Sequence, residues 1–451
     1  MDTIELRAAA AKLRKLHGRF ASCFGRPEPQ KHSLGYLRGL LLAEGRKSVE
    51  PMALVFGSPS VDQPEIEQRI ALAWQRFITV SPWEAQAVQQ EIQAVFNEEF
   101  VPTASGPIGT VGVLDGSGFV KHGPHSVGVQ RQWCGRVGKK ENCQIGVFLL
   151  GVTPAGTALL DHQLYLPEDW AADTARRKKT RVPPEVTFQT KPQIAAALLA
   201  RSSTRFDWVI ADEEFGRNGD FLDALESRGQ RYLMEVPANT TVWPSQPMHQ
   251  TADAYVWPVD LLAKGLPAGA WHVMKLREGA KGPLAFEFAR VWVWSVRHRH
   301  AGPPLWLVIR RSLERVPEVK YYLSNAGRET PLETMALVTG SRCRVEEFFE
   351  DGKTHLGMAQ YEARSWTSWH HHMSLVALAH LYVTQTRRDL KRKVPGLTLD
   401  MALRLIRSAL PRPQLSLKDA ENLVEYYLDR NDQAAESHRK TWLTKHPNVV
   451  P

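Results

Sequence analysis

Two short apolar runs that each carry an aspartate at their end limit the fold more than any other feature. The first is Thr110-Val111-Gly112-Val113-Leu114-Asp115-Gly116-Ser117-Gly118 and the second is Phe206-Asp207-Trp208-Val209-Ile210-Ala211-Asp212. Both are rich in β-branched or aromatic residues and closed by glycine or charge, the pattern of buried strands. An ionised carboxylate beside such a run is costly unless it is paired, hydrogen-bonded or metal-bound. Asp115 and Asp212 therefore read either as turn caps or as two members of one polar site at strand ends.

A third acidic position stands far downstream, in Arg342-Cys343-Arg344-Val345-Glu346-Glu347-Phe348-Phe349-Glu350-Asp351-Gly352-Lys353. On a helix, steps of four and seven residues return to nearly the same angle, so Arg342, Glu346 and Lys353 share a stripe beside an apolar face of Val345, Phe348, Phe349 and Leu356. One carboxylate between two cations suits a group that holds a metal beside a polyanion; an ordinary solvated Arg342–Glu346 pair is the simpler reading. Glu347 and Glu350 are close by, but the spacing to Arg342 and Lys353 selects Glu346.

The bulk properties are those of a globular protein with a polyanionic partner. At 451 residues the length suggests about three domains, and 43% hydrophobic residues suffice for a sizeable core. Lys plus Arg exceeds Asp plus Glu by 57 to 48, a net charge of +9, which favours nucleic acid or another anionic surface. Four cysteines without CxxC spacing indicate neither a zinc ribbon nor a disulfide framework and fit a reducing cytoplasm. Met1 to Phe20 lacks the apolar run of a signal peptide, and Ile145 to Val152 falls well short of the ~20 residues of a spanning helix, so a soluble chain is expected.

Residues 1–100 read as a helical N-terminal region, with DNA binding and plain bundle packing both open. Ser81-Pro82-Trp83-Glu84 has the form of a capping box, which predicts a helix from Pro82 to about Phe96. Leu34 to Ala43 and Val49 to Phe56 flank Glu44-Gly45-Arg46-Lys47-Ser48, which reads as the turn of a helix-turn-helix or of a plain bundle. Strand patterns follow at 126–133, 144–151 and 157–165, then a basic run at 176–181 and helices at about 192–201 and 218–227. The 134 positions between Asp212 and Glu346 are too many for one strand-to-helix step. The segment 238–324, with six of the fourteen tryptophans, is expected to be a β-rich insertion domain. Thr330-Pro331-Leu332-Glu333 repeats the capping-box pattern, Gly340 is expected to break the helix it opens, and 386–451 reads as helical to about Tyr427 with a loose polar tail from Asp429.

Asp115, Asp212 and Glu346, with Arg342 and Lys353, resemble the catalytic signature of DDE transposases from bacterial insertion sequences. In the subgroup with a Tyr-Arg-Glu-Lys signature an Arg stands four residues before the Glu and a Lys seven after it; this chain matches Arg, Glu and Lys and has Thr339 at the tyrosine. Gly138-Lys139-Lys140-Glu141-Asn142-Cys143-Gln144, Lys320-Tyr321-Tyr322-Leu323-Ser324-Asn325-Ala326 and Ala379-His380 add to the resemblance, which runs from about Leu34 to Leu390. It implies an α/β ribonuclease H-like core over 108–237 and 325–385. It also implies two Mg²⁺ ions, with Mn²⁺ as substitute, held by Asp115, Asp212 and Glu346, and phosphate contacts from Arg342 and Lys353. The implied activity is cleavage at transposon ends and strand transfer into target DNA, by a homodimer on terminal inverted repeats, in the bacterial cytoplasm at the nucleoid and away from membranes. A metal-dependent nuclease without strand transfer and a noncatalytic DNA-binding protein stay open beside it.

Other features carry simpler expectations. Three consecutive histidines, His370 to His372, project about 100° apart on a helix and cannot ligate one ion. His122 and His125 are expected at the surface. Trp292, Trp294 and Trp306 are base-stacking candidates only generically, with sheet packing the commoner role. The basic tracts 176–181, 297–300, 310–311 and 387–393 are candidate phosphate contacts or solvated faces.

Overall fold

The computed structural model describes residues 3–56, 65–248, 255–279, 282–391, 394, 396–411 and 416–446. Five helices come first: α1 (Thr3–Arg19), α2 (Pro27–Leu42), α3 (Val49–Leu54), α4 (Glu65–Thr79) and α5 (Ala85–Glu99). Strands β1 (Val111–Val120), β2 (Gln130–Cys134), β3 (Lys139–Thr153) and β4 (Gly156–Leu164) follow, then helices α6 (Glu168–Ala172), α7 (Thr174–Thr180) and α8 (Lys191–Arg201). Next come β5 (Trp208–Ala211), α9 (Glu213–Gly216), α10 (Gly219–Ser227) and β6 (Tyr232–Val236). The middle of the chain supplies β7 (Thr241–Trp243), β8 (Trp257–Pro258), α11 (Val259–Lys264), β9 (His272–Gly279), β10 (Gly282–Arg297), β11 (His300–Arg311) and β12 (Val319–Ser324). Helices α12 (Leu332–Thr339), α13 (Cys343–His355), α14 (Trp366–Lys391), α15 (Leu399–Ala409) and α16 (Leu417–Lys445) complete it.

All twelve strands join one mixed sheet, ordered β2-β3-β1-β5-β6-β12-β11-β10-β7-β8, with β4 also on β3 and β9 on β10. β1 and β3 are antiparallel, whereas β1, β5 and β6 run parallel. A parallel step needs a crossover, and α8 supplies the last part of one between β4 and β5. Side chains alternate across the sheet, so β3 sends Phe148, Leu150 and Val152 to the core shared with α5, α13 and α14, and Val147 and Leu149 to the core beneath α8 and α10. Helix α14 mixes apolar residues with four histidines and is buried over most of its 26 residues between β4, α5, α2 and α15, so its polar side chains must find partners inside the fold.

Several sequence expectations need correction. The helix expected from Pro82 begins at Ala85 with Glu84 as its N-cap and no side-chain cap bond; Trp83 instead donates its indole N–H to the Phe77 carbonyl at 3.1 Å and is buried. Pro331 takes the N-cap of α12, so the second capping box is also unformed. The β-rich segment 238–324 does not build a sheet of its own, because β12 pairs with β6 and carries β11, β10, β7 and β8 outward from it. Helix α14 runs across the boundary placed at 385/386. The tail expected to loosen at Asp429 continues as helix to Lys445. The basic corner at 44–48 is only partly at the surface: Glu44, Gly45 and Arg46 are exposed, with Arg46 pairing with Glu362 at 2.5 Å, whereas Lys47 is buried and donates to the Ala43 carbonyl, and α3 has six residues. The break at Gly340 is where the sequence puts it, since α12 ends at Thr339. No described helix is long and apolar enough to cross a membrane.

Candidate active site

The sheet brings the two aspartates together. Register pairs Leu114 with Ala211 across the parallel β1–β5 ladder, so Asp115 and Asp212 each follow the last paired residue of adjacent strands. Beyond that point β5 ends, and Asp212 caps α9 by accepting from the Glu214 N–H at 3.0 Å. β1 continues instead, with the Asp115 Oδ1 accepting from the Gly116 N–H at 2.7 Å. Alternation along β1 puts Asp115 on the same face as Val113, Ser117 and Phe119, the face on which α13 packs.

Helix α13 brings the basic and acidic partners to that face. Arg342 precedes α13 with helical backbone angles, φ −59° and ψ −39°, so it lies one turn from Glu346. Its Nη1 stands 3.0 Å from Asp115 Oδ2 and 3.5 Å from Glu346 Oε1, joining the strand carboxylate to the helix one. Neither Nη1 nor Nε has an aligned hydrogen-bond partner, so the contact with Asp115 is an ion pair without hydrogen-bond geometry. At the other end of α13, Lys353 donates from Nζ to Ser117 Oγ at 2.7 Å and to the Gly118 carbonyl at 3.3 Å.

Electrostatics single out Asp115. It is 8% exposed, and burial pushes its carboxyl up to about 7, with Arg342 pulling down and Asp212 and Glu346 pushing further up. Burial likewise raises Asp212, again opposed by Arg342. The Arg342 guanidinium is itself held charged against burial by Asp115, Asp212, Glu346 and Glu235. A nearly inaccessible carboxyl beside a second one, with a single guanidinium set against both, offers the oxygen ligands that a hard divalent cation takes. As the side chains stand, no three acidic, histidine or cysteine residues among those described are close enough to hold a metal ion; the Glu346 side chain is 66% exposed and reaches Asp115 only through Arg342.

The neighbouring candidates sort themselves. Glu347 is taken by Arg277 and Arg344, each at 2.8 Å, which leaves Glu346 as the acid on Arg342. Thr339 is buried and donates to the Ala336 carbonyl at 2.6 Å, so it offers nothing at the tyrosine position. His372 packs against Tyr36 and the Gly357 carbonyl, and His371 against the carbonyls of Ile78 and Trp83. His122 and His125 are exposed. Trp292 and Trp306 meet edge to face across β10 and β11 at 4.7 Å.

Much of the basic sequence is engaged internally. Arg176 pairs with Asp173, Arg177 donates to the carbonyls of Val186 and Pro183, and Arg297 is buried against Asp223 and Glu226. Arg310 lies over Phe286, Arg311 pairs with Glu287, and Arg387 and Arg388 bond the Leu397 carbonyl and Glu99. Arg392 and Lys393 lie outside the described residues. Sequence reasoning missed Ser117, the partner of Lys353; its position two residues beyond Asp115 on a strand was the available signal, since such residues share a face.

The DDE superfamily endonuclease family matches residues 19–256, and the transposase DDE domain family matches residues 187–382. The probable transposase for insertion sequence element IS701 from Microchaete diplosiphon is 27% identical over 185 residues, covering 39% of this chain and 44% of that protein. The chain thus spans less than half the length of the curated relative it matches.

Proposed function

This chain belongs to the DDE superfamily of endonucleases, and from that premise we propose that it is an insertion-sequence DNA transposase, cutting phosphodiester bonds at element ends and joining the freed 3′ ends to target DNA. One observation carries the reading: Asp115 within β1 and Asp212 at the end of β5 follow paired residues of adjacent parallel strands, with Arg342 linking Asp115 to Glu346. The antiparallel β3–β1 pair joined to parallel β1, β5 and β6 supports a ribonuclease H-like core over 108–237 and 325–385. The matching of both a DDE endonuclease and a transposase DDE family supports the same assignment.

Asp115, Asp212 and Glu346 are the proposed ligands of Mg²⁺, or of Mn²⁺ in its place, because an all-carboxylate set suits hard cations. A pair of such ions, when bound, supplies an activated water or 3′-hydroxyl and stabilises the leaving oxygen of an in-line displacement. The chain's own residues do the rest. The β1–β5 ladder holds Asp115 within β1 and Asp212 at the junction of β5 and α9, so their approach costs no ordering at the moment of reaction. Arg342, displaced from the carboxylates, offers a fork to a phosphate, and Lys353 offers a point charge two residues along β1 from Asp115. The burial of Asp115 keeps bulk water from screening these contacts.

The proposed partners are duplex DNA bearing terminal inverted repeats and target DNA, with a homodimer acting in the cytoplasm at the nucleoid. Incubating the protein with DNA carrying the sequences that flank its gene, plus Mg²⁺, tests the proposal. Joined products are expected and should vanish in Asp115→Ala and Asp212→Ala. Cleavage without joining would leave a nuclease, and retention without cleavage a DNA-binding protein.

A further inference from the structure

At the outer edge of the sheet, the β2–β3 hairpin presents an aromatic and two cations to solvent on one face. Register pairs Trp133 with Lys140, Gln132 with Glu141 and Arg131 with Asn142. Side chains alternate along a strand, and residues directly opposite on antiparallel strands point the same way, so Arg131, Trp133 and Lys140 share a face. The other face turns inward: Gln132 donates to the Cys143 carbonyl at 2.9 Å and Cys134 is buried. Trp133 is 60% exposed, and Arg131 and Lys140 are exposed beside it. Tryptophan is highly buried on average, and here the ring is open to solvent with a cation on either side, the combination that stacks bases and holds phosphates.

The hairpin lies on the candidate site's side of the molecule. Asp115 pairs with Phe148 of β3, and β3 leads from there back to Lys140 in the direction in which β1 extends past the end of β5. Eight residues separate Phe148 from Lys140, which is ~26 Å at about 3.3 Å per residue. A strand keeping the stacked spacing of duplex DNA, about 3.4 Å, would cover this in about eight nucleotides, and a more extended one in fewer.

We propose that this face of the β2–β3 hairpin is a stacking platform for an unpaired stretch of the DNA strand leading away from the cleaved phosphodiester, with Trp133 stacking on a base and Arg131 and Lys140 holding the flanking phosphates. The inference rests on the DNA-cleaving reading for its partner and its spacing. A stack of this kind accepts any base, because each has a π-face, and the cations track the backbone without reading sequence.

Fluorescence anisotropy with a labelled 20-nucleotide oligothymidylate and a 20-base-pair duplex of arbitrary sequence tests it on the full-length protein. Trp133→Ala is expected to weaken oligothymidylate binding by about 5- to 150-fold, the range for one lost stack. Trp133→Phe should keep most of the affinity, and the duplex should be less affected than the single strand. Lys140→Gln and Arg131→Gln should each lower the slope of log affinity against log salt by about 0.7 on the single strand. Equal oligothymidylate affinity of wild type and Trp133→Ala overturns the proposal. So does an unchanged affinity accompanied by altered self-association in sedimentation, which would assign the edge to protein pairing. A failure of the cleavage reading appears separately, as cleavage that persists in Asp115→Ala, because the hairpin variants leave the carboxylates untouched.

Discussion

Arg342 is the residue on which the candidate site turns. Its guanidinium faces Asp115 and is linked as well to Glu346. Removing one partner of a buried pair strands the other, at roughly 3 kcal/mol or more. Arg342→Gln should therefore lower the melting temperature without metal, and millimolar Mn²⁺ should restore more stability in the variant than in wild type, since ion and guanidinium compete for the same carboxylates. Calorimetric melts with and without Mn²⁺ check this; an equal metal-induced shift in the two proteins would contradict it. Glu346→Ala should reduce DNA cleavage by more than about a hundredfold, beyond the usual cost of losing an outer-shell partner. Glu347→Ala, which breaks pairs with Arg277 and Arg344 instead, should retain much of it. The opposite ranking in a strand-cleavage assay would move the site by one residue. At this scale the sequence was most readable: the spacing of Arg342, Glu346 and Lys353 placed them on one stripe, and the two aspartates could be found from the strands they end. Spacing was silent on the partners, because no helical wheel reports that Lys353 meets Ser117 from β1 or that Arg342 occupies the gap between the acids.

Among the elements, α14 and the α9–β6 contact carry the clearest consequences. His372 and His380 on α14, and His162 on β4 beside it, are buried and pushed down to about 3 by burial; His370 is also pushed down. Their folded values lie below the unfolded value of 6.5, so above that pH both states are neutral. As pH falls below 6.5 only the unfolded chain gains protons at these rings, and stability should drop by on the order of 1 kcal/mol per ring per pH unit, offset in part by Asp115, whose buried carboxyl at about 7 takes up its proton first in the folded chain. His371, pushed down to about 4 by burial and held from falling further by the two carbonyls it faces, adds the same slope over this range and loses it only as pH approaches 4. Urea titrations at pH 7.5, 6.5 and 5.5 should show this slope, and His380→Leu should make it shallower. Gly216 ends α9 against β6, where an added Cβ would lie 2.0 Å from the Glu235 carbonyl oxygen. Backbone cannot yield as a side chain tip can, so Gly216→Ala should destabilise by about 1–3 kcal/mol or more and weaken cleavage through Asp212, which caps the same short helix. Wild-type melting and activity in that variant would show that the contact relaxes. The elements misread from sequence share a cause: both capping-box patterns matched the letters, but neighbouring chain took the residues, with Trp83 bonded back to Phe77 and Pro331 occupying the cap itself.

For the whole molecule, the continuity of the sheet matters more than its division into segments. The tryptophan-rich middle of the chain was legible as β structure, but its attachment was not, since sequence period reports which face is buried and not which strand lies alongside. Hydrogen bonds from β6 to β12 tie that segment to the strands bearing the aspartates. Thermal unfolding should accordingly show one cooperative transition for 108–324. Two separated transitions in calorimetry would argue for independent units. Excising 238–324 with a short linker should expose the β6 edge and yield aggregated protein, as unpaired edges do.

The ladder between β1 and β5 also dictates where such a gene can change length. One codon gained or lost between Val111 and Leu114 would turn Asp115 toward the α8 side of the sheet, away from Arg342, because strand side chains alternate with a period of two. The far fringe, from β10 outward to β8, bears no such burden, so descendants can lengthen or trim there while the acidic pair stays in step.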